Sequence, residues 1–540
     1  MSRLVGWGRR SRNSECLYFG SFEQLQSVVP SNLLRLSAEC LFYLSLKKTL
    51  PGKGNTARSS FKTFSGDTRN GVADNSDLRD ASGSFQLDEL TDPSDKSRLD
   101  LHISPDFGPG KPDLQKTGNK DWDMLASEHW SARRGHGLTY AGLFIFTFVL
   151  YFRPYELIAS LSGMTSIALI VALGTLLIYL PSQMTADGSL TATPVEVKCV
   201  LFLTLWALIT IPFAKNPNFA WEEFNEHFSK VAIIFVVMVN VLRTIPRLKG
   251  LMWLGIAVGV VLSYQAVSLY REGVFAVEGY RVRVDFGGMF GNPNDMAIHL
   301  LMFIPISIGL GLVSRRTIGK IAYFSFAFLM TAAVLVTQSR GAFLGLLAVA
   351  GVLIWKLGKA NRLNMLLVST AAGIVVALVA PGNYMVRIMS IFIPSLDPVS
   401  STDARWGLFT RSLLVTLRNP LGIGIGNFTI VGQHNQESHN AYTQVSAELG
   451  WLALAAYVIF LISPLRKLGA LERITDADRR ERWINTMSKV LYASIIGYMV
   501  ASLFGSVAYN WFIYYPVAFA VCLRRLYQSD VTKDALVTGT

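Results

Sequence analysis

A few residues have types and spacing suited to holding a phosphate ester and moving one proton. His439, in "ESHNAYTQVSAELG", stands directly ahead of an apolar run. An imidazole titrates near pH ~6.5, so it can accept a proton from a hydroxyl at neutral pH. Arg340, in "TQSRGAF", closes another apolar run, and Arg281 and Arg283 precede "DFGGMFGNPNDMA". A guanidinium stays ionised and forks onto phosphate oxygens, which makes these arginines candidate anion ligands. Asn292 can cap a helix that has Pro293 at its first position, with Asn294 next; Ser438 or Asn440 can do the same after His439. Each residue alone has a plainer reading. Arg281 and Arg283 fit solvated loop arginines, Arg340 fits a side chain snorkelling to headgroups, and His439 fits an interfacial cap. Only a common location separates the two readings, so the elements that place these residues decide.

The chain has 540 residues, 51% hydrophobic and 16% charged, with a mean hydropathy of +0.36. That is too apolar for a soluble protein of this size and predicts an all-α polytopic membrane protein. From Gly137 onward, apolar runs near spanning length alternate with short polar joints, and windows of spanning length give about twelve helices. They centre on 138–152, 163–180, 196–214, 230–243, 249–270, 294–313, 319–337, 341–357, 363–380, 441–464, 489–506 and 510–524. The joints "RTIPRLKG", "SRRTIGK", "KLGKANR", "LRKLGALERITDADRRERW" and "LRRLYQSDVTK" are basic and fall on one side, which the positive-inside rule makes cytoplasmic, with both termini there. The net charge of +13 is thereby accounted for without a nucleic-acid partner. The opposite side carries the longest joint, residues 381–440, a candidate functional loop. Helices starting near Asn294, Gly341 and Ala441 all present their N-termini to that face. Unpaired N–H groups and the positive dipole end make such termini anion sites.

Residues 1–135 are rich in Ser, Gly, Asp, Asn and Lys and read as a mostly disordered cytoplasmic extension. Its one apolar patch, "LLRLSAECLFYLSL", is too short to span and fits a lipid-surface helix; no signal-peptide cleavage pattern follows it. An alternative is that translation starts near Met124. Cys16, Cys40, Cys199 and Cys522 are scattered without disulfide or metal spacing. "GIGIGNF" reads as a turn rather than a nucleotide loop, because strand-turn-helix context is missing. Glu222, Glu223 and Glu226 read as the wet face of an interfacial helix whose Trp221, Phe224 and Phe228 meet lipid.

In this order, an arginine before "GMFGNPNDMA", the run "QSRGAFLG", a long loop with "ARWGLFTRSLLVTLRNPLGIGIGNF" and the closing "SHNAYTQVSAELGWLAL" resemble the O-antigen ligase and polymerase family of bacterial membrane glycosyltransferases. The likeness runs over residues 138–525 and leaves the N-terminal extension without a counterpart. It implies a fold akin to C-type membrane glycosyltransferases, in the inner membrane with the active site facing the periplasm. It also implies a glycan donor on undecaprenyl diphosphate and an acceptor that is lipid A-core, a second glycan or a protein. By the same resemblance Arg340 and one of Arg281 and Arg283 hold the diphosphate, Arg405 adds a contact to diphosphate or sugar, and His439 serves the acceptor hydroxyl. Asn292, Asn294 and Asn440 support the site, with no metal and no cofactor expected. A polymerase or a protein glycosyltransferase differs only in acceptor. A polytopic transporter or a flippase of lipid-linked oligosaccharide also fits the helix count, although the charged groups gather at one face rather than at mid-bilayer.

Overall fold

A computed structural model describes residues 135–153, 167–284, 290–358, 401–432, 436–475 and 479–538, with isolated positions between 359 and 400. The expectations for the N-terminal extension, for Gly287 and Gly288, and for most of the predicted span 363–380 lie outside the described residues. Those described are almost wholly helical, their extended pairing limited to one Val277–Arg281 bridge. In hydrocarbon, backbone N–H and C=O groups must pair within their own segment, and helices do so.

The order is α1 (Gly137–Phe152), α2 (Ile167–Asp187), α3 (Val195–Thr210), α4 (Pro217–Glu223), α5 (Ser229–Val241), α6 (Ile245–Arg271), α7 (Pro293–Val313) and α8 (Thr317–Val336). It continues with α9 (Arg340–Leu357), α10 (Ser401–Arg418), the single turn α11 (Phe428–Val431), α12 (Ala441–Ile474), α13 (Arg479–Ala501) and α14 (Trp511–Thr538). Nine described helical segments are long and apolar enough to cross a membrane, and α1 is a shorter apolar helix. Eleven of the twelve predicted spans coincide with described helices.

Two helices are lined on all sides by protein. Of the apolar stretch of α7, 83% is buried, and residues 511–528 of α14 are buried throughout. The outer helices show the opposite pattern: α2 exposes Leu169, Ile170, Leu173 and Leu177, and α8 exposes Ile318, Ile321 and Phe328. Such continuous apolar surface belongs against lipid rather than water. Where α7, α9 and α13 meet, a Cβ at Gly345 would lie 2.9 Å from the Gly497 carbonyl, so missing side chains let these helices close on one another.

One element differs from its sequence reading. Pro217 to Val241 is one continuous apolar segment passing through a π-turn at Phe224–Phe228. Its Glu222 and Glu226 are exposed, as is Trp221, but Phe224 and Phe228 are buried inside the protein rather than set in a lipid boundary. The Phe228 ring meets Tyr509 edge-on.

The basic joints gather at one end of the bundle. Arg247 donates to the Gly135 carbonyl (2.8 Å), Arg243 pairs with Asp187 (2.6 Å), Arg525 donates to the Val239 carbonyl (3.0 Å), and Lys249 lies over the Trp483 ring. Arg243, Arg524 and Arg525 are buried, so part of the basic charge in these joints ties helix ends together instead of meeting solvent. Contacts at the opposite end involve every candidate site residue for which a hydrogen bond is given below. Gly358 follows α9 at the basic end, whereas Ser390 is bonded to Arg340 at the other.

Candidate functional site

Three helix N-termini open at the end away from the basic joints, each with its own cap. Asn292 accepts from the Asn294 amide (2.9 Å) ahead of Pro293 at the start of α7. Ser339 accepts from the Ala342 amide (3.4 Å), which makes Arg340 the first residue of α9. Asn440 accepts from the amides of Tyr442 (2.9 Å) and Thr443 (3.1 Å) at the start of α12. Of the two caps considered for α12, Asn440 is the one used; Ser438 instead donates to the Asn440 carbonyl (2.9 Å).

The segment between α13 and α14, "LFGSVAYN", brings the three together. Gly341 abuts the Phe504 side chain, and Gly505 faces Ile298 on the second turn of α7. Ser506 accepts from the His439 amide (2.8 Å), and the Ala508 amide donates to Gln444 (3.4 Å). Phe504 and Ser506 are two residues apart, at most roughly 7 Å of chain, so the starts of α9 and α12 meet across one short strap. Sequence reading missed this strap; its only signal was a Gly-Ser pair interrupting two apolar runs.

Arg281 is buried and held from three sides. Its Nε donates to the Thr337 carbonyl (3.0 Å), its Nη2 to Asn294 (2.8 Å), and its Nη1 lies 3.7 Å from Glu278. It therefore ties the loop to α7 and to the end of α8. Arg283, two residues on, is exposed. Arg340 is buried and donates from Nη1 to Ser390 (3.0 Å). Arg405 sits half-buried on α10, one turn before Leu408, which packs with Phe428 and with Ala447 of α12. Thr416 of α10 meets Ser446 of α12 at 3.0 Å, and Arg405 is near enough to His439 for its charge to act on the ring.

Burial, with the Arg405 charge adding to it, lowers the His439 imidazole to about 4. A ring shifted that far is neutral at pH 7, with its free nitrogen available, but is a weaker base than an unperturbed imidazole. Its backbone is left-handed (φ 53), as is that of Gln338 (φ 52) two residues before Arg340. Non-glycine residues adopt this region only where surroundings enforce it. Gln338 is fixed by donating to the Tyr280 carbonyl (3.1 Å). Two carboxyl groups also lie here, Asp295 on the first turn of α7 and Glu437 ahead of His439, within electrostatic reach of each other.

The first turns of α12 are aimed by a break at Gly450 (φ 82, ψ −176). Carbonyls freed there are taken up by other elements: Ala447 by the Ile423 amide (3.1 Å), Glu448 by the Gly424 amide (2.8 Å) and Leu449 by Trp206 Nε1 (2.8 Å). In return the Trp451 amide donates to the Pro420 carbonyl (3.2 Å). The glycine-rich stretch is thus a turn, as its sequence suggested, and its further job is to clamp a broken helix. At Gly422 (φ 89) a Cβ would come within 2.2 Å of the Glu448 carbonyl. The clamp is anchored in turn on the α3–α4 joint, through Lys215 to Ile423 (2.9 Å) and Asn216 to Asn427 (2.8 Å).

Fold and site together define a polytopic helical membrane protein with basic groups and a neutral imidazole around capped helix N-termini. Residues 325–458 are similar to the family model described as O-antigen ligase. That segment contains Arg340, Arg405, His439 and Asn440 and ends just past the Gly450 break; Arg281, Arg283, Asn292 and Asn294 precede it. No curated protein matches the chain.

Proposed function

We propose that this protein is an O-antigen ligase-type glycosyltransferase that moves a glycan from undecaprenyl diphosphate to an acceptor hydroxyl, at the periplasmic face of the inner membrane. The observation that carries the reading is the convergence of α9 and α12 on the 504–508 strap. It brings the start of α9, where Arg340 stands, and the His439 amide to one short strap, the two residues being 99 apart in the chain and both within the matched segment.

In this reaction the acceptor oxygen attacks the anomeric carbon, the bond from that carbon to the diphosphate oxygen breaks, and the diphosphate leaves with the electron pair. The acceptor proton passes to the neutral His439 ring. Arg340 and Arg405 stabilise charge developing on the departing diphosphate, with helix N–H dipoles adding to them. Arg283 is the exposed member of its pair and meets donor phosphate or sugar as it arrives. Arg281 acts by holding Asn294 and the α8 end in place. Direct displacement inverts the anomeric centre. The family description favours a lipid A-core type of acceptor over a growing glycan or a protein. Purified protein given lipid-linked glycan with each acceptor in turn tests the choice; transfer to none of them would remove the reading.

Two predictions arise here. Arg340→Lys lowers kcat/KM about tenfold or more with an unchanged unfolding midpoint, because an ammonium cannot reproduce the forked contact. Wild-type kinetics in that variant would reduce Arg340 to a structural tie to Ser390. The second concerns pH. A base must be neutral to act, so transfer falls as acid protonates His439, and the acid limb of kcat/KM reports the free enzyme. Arg405 helps keep that limb low. Arg405→Gln removes a positive neighbour, raises the affinity of the ring for its proton and moves the limb to higher pH. A limb that stays in place, or moves lower, would separate Arg405 from His439.

A further inference from the structure

At the end of the bundle opposite the candidate site, a cavity of about 390 Å³ opens between the last turns of α9, the second half of α12 and the middle of α13. It lies sixteen residues along α9 from Arg340, roughly 24 Å, and so has no part in the chemistry above. Lys356, Arg466 and Arg473 line it against a single carboxylate, Glu472. Lys356 is buried, paired with Glu472 and set 4.0 Å from the Tyr492 ring centroid, which fixes its charge at the cavity wall. Arg466 and Arg473 are seven residues apart, two turns on one face of α12, with Gly469 between them. Nothing lies within 4 Å of where a Gly469 side chain would start, so this glycine leaves the space open.

The surroundings distinguish a lipid from a soluble anion. Ile462, one turn deeper on the same face, and Trp355 are cavity-lining and exposed. An apolar wall beneath a cationic rim, at the end of spanning helices, matches a phosphate headgroup with its acyl chains below.

We propose that this cavity binds the phosphate headgroup of an anionic membrane lipid, with Arg466 and Arg473 on the phosphate and the acyl chains along Trp355 and Ile462. The test uses full-length protein in neutral detergent, titrated with dioctanoyl phosphatidylglycerol and followed by thermal unfolding. Three comparisons accompany it: dioctanoyl phosphatidylcholine, inorganic phosphate, and the variants Gly469→Leu, Arg466→Gln/Arg473→Gln and Lys320→Gln. The expected result is saturable stabilisation by phosphatidylglycerol, weaker by roughly tenfold in apparent affinity for Gly469→Leu and for the double arginine variant. Lys320, an exposed cation elsewhere at the same end, should be replaceable without effect. Equal weakening by Lys320→Gln would overturn the site in favour of diffuse charge. Equal binding of phosphatidylcholine would overturn the headgroup assignment, and equal binding of inorganic phosphate would overturn the lipid. Unaltered binding by both cavity variants would overturn the cavity itself. Gly469→Leu fills open space and Arg466 and Arg473 are exposed, so none of these changes should compromise folding.

Discussion

Replacing His439 by alanine is expected to reduce glycan transfer by roughly 10²–10⁴-fold, the range for loss of a general base, while the protein still inserts and retains its fold. The backbone supports that separation. The contact tying this residue to the strap is made by its amide to Ser506, and alanine keeps the amide. The complication is the left-handed φ of 53, which costs an alanine about 1 kcal/mol or more. Asparagine tolerates that region and brings no base, so His439→Asn isolates the chemistry from the conformation. Both variants should lose transfer to a similar degree, with the asparagine variant unfolding at the wild-type midpoint. A quantitative assay with lipid-linked glycan and acceptor decides it: full transfer by either variant would take His439 out of the mechanism.

Much of the membrane architecture was legible in the sequence because its signal is local. A run of apolar residues reports a spanning helix whatever its neighbours are, and the caps at Asn292 and Asn440 lie within three residues of the amides they satisfy. The even parity of the spans also anticipated that α7, α9 and α12 start at one end. The parts that stayed hidden rest on contacts between distant segments. Nothing near Ser506 announces that its hydroxyl accepts from an amide 67 positions earlier. Phe224 and Phe228 read as boundary aromatics because apolar rings suit lipid and protein core alike, and only the packing of distant segments against them separates the two. The charge counts were sound as counts, but burial of Arg243 and Arg525 depends on partners supplied by α2 and α5. Arg281 and Arg283 were indistinguishable as a pair, and only the placement of Thr337 and Asn294 separates a buried tie from an exposed arginine.

Gly450 was equally invisible, since a glycine inside a long apolar run reads as a small residue in a helix. The strongest structural effect is expected there. Its φ of 82 with ψ of −176 falls in a region essentially restricted to glycine, and a Cβ would stand 2.2 Å from the Pro420 carbonyl oxygen. Gly450→Ala therefore costs roughly 3 kcal/mol or more, combining backbone strain with displacement of a clamp that cannot yield. The chain has one inexpensive escape, because alanine favours a straight helix through this position. Straightening would free the amides of Ile423 and Gly424 from the α12 carbonyls and swing the nine residues before the break, about 13 Å of helix, out of line with the strap. His439 would then leave Arg340 by a distance on the order of 10 Å. The variant should show a lowered unfolding midpoint and little or no transfer. Gly351→Ala, on exposed helix with open space around it, should leave both at or slightly above wild type. Wild-type stability and transfer in Gly450→Ala would mean that the broken helix does not aim the histidine, and the mouth would have to be built some other way.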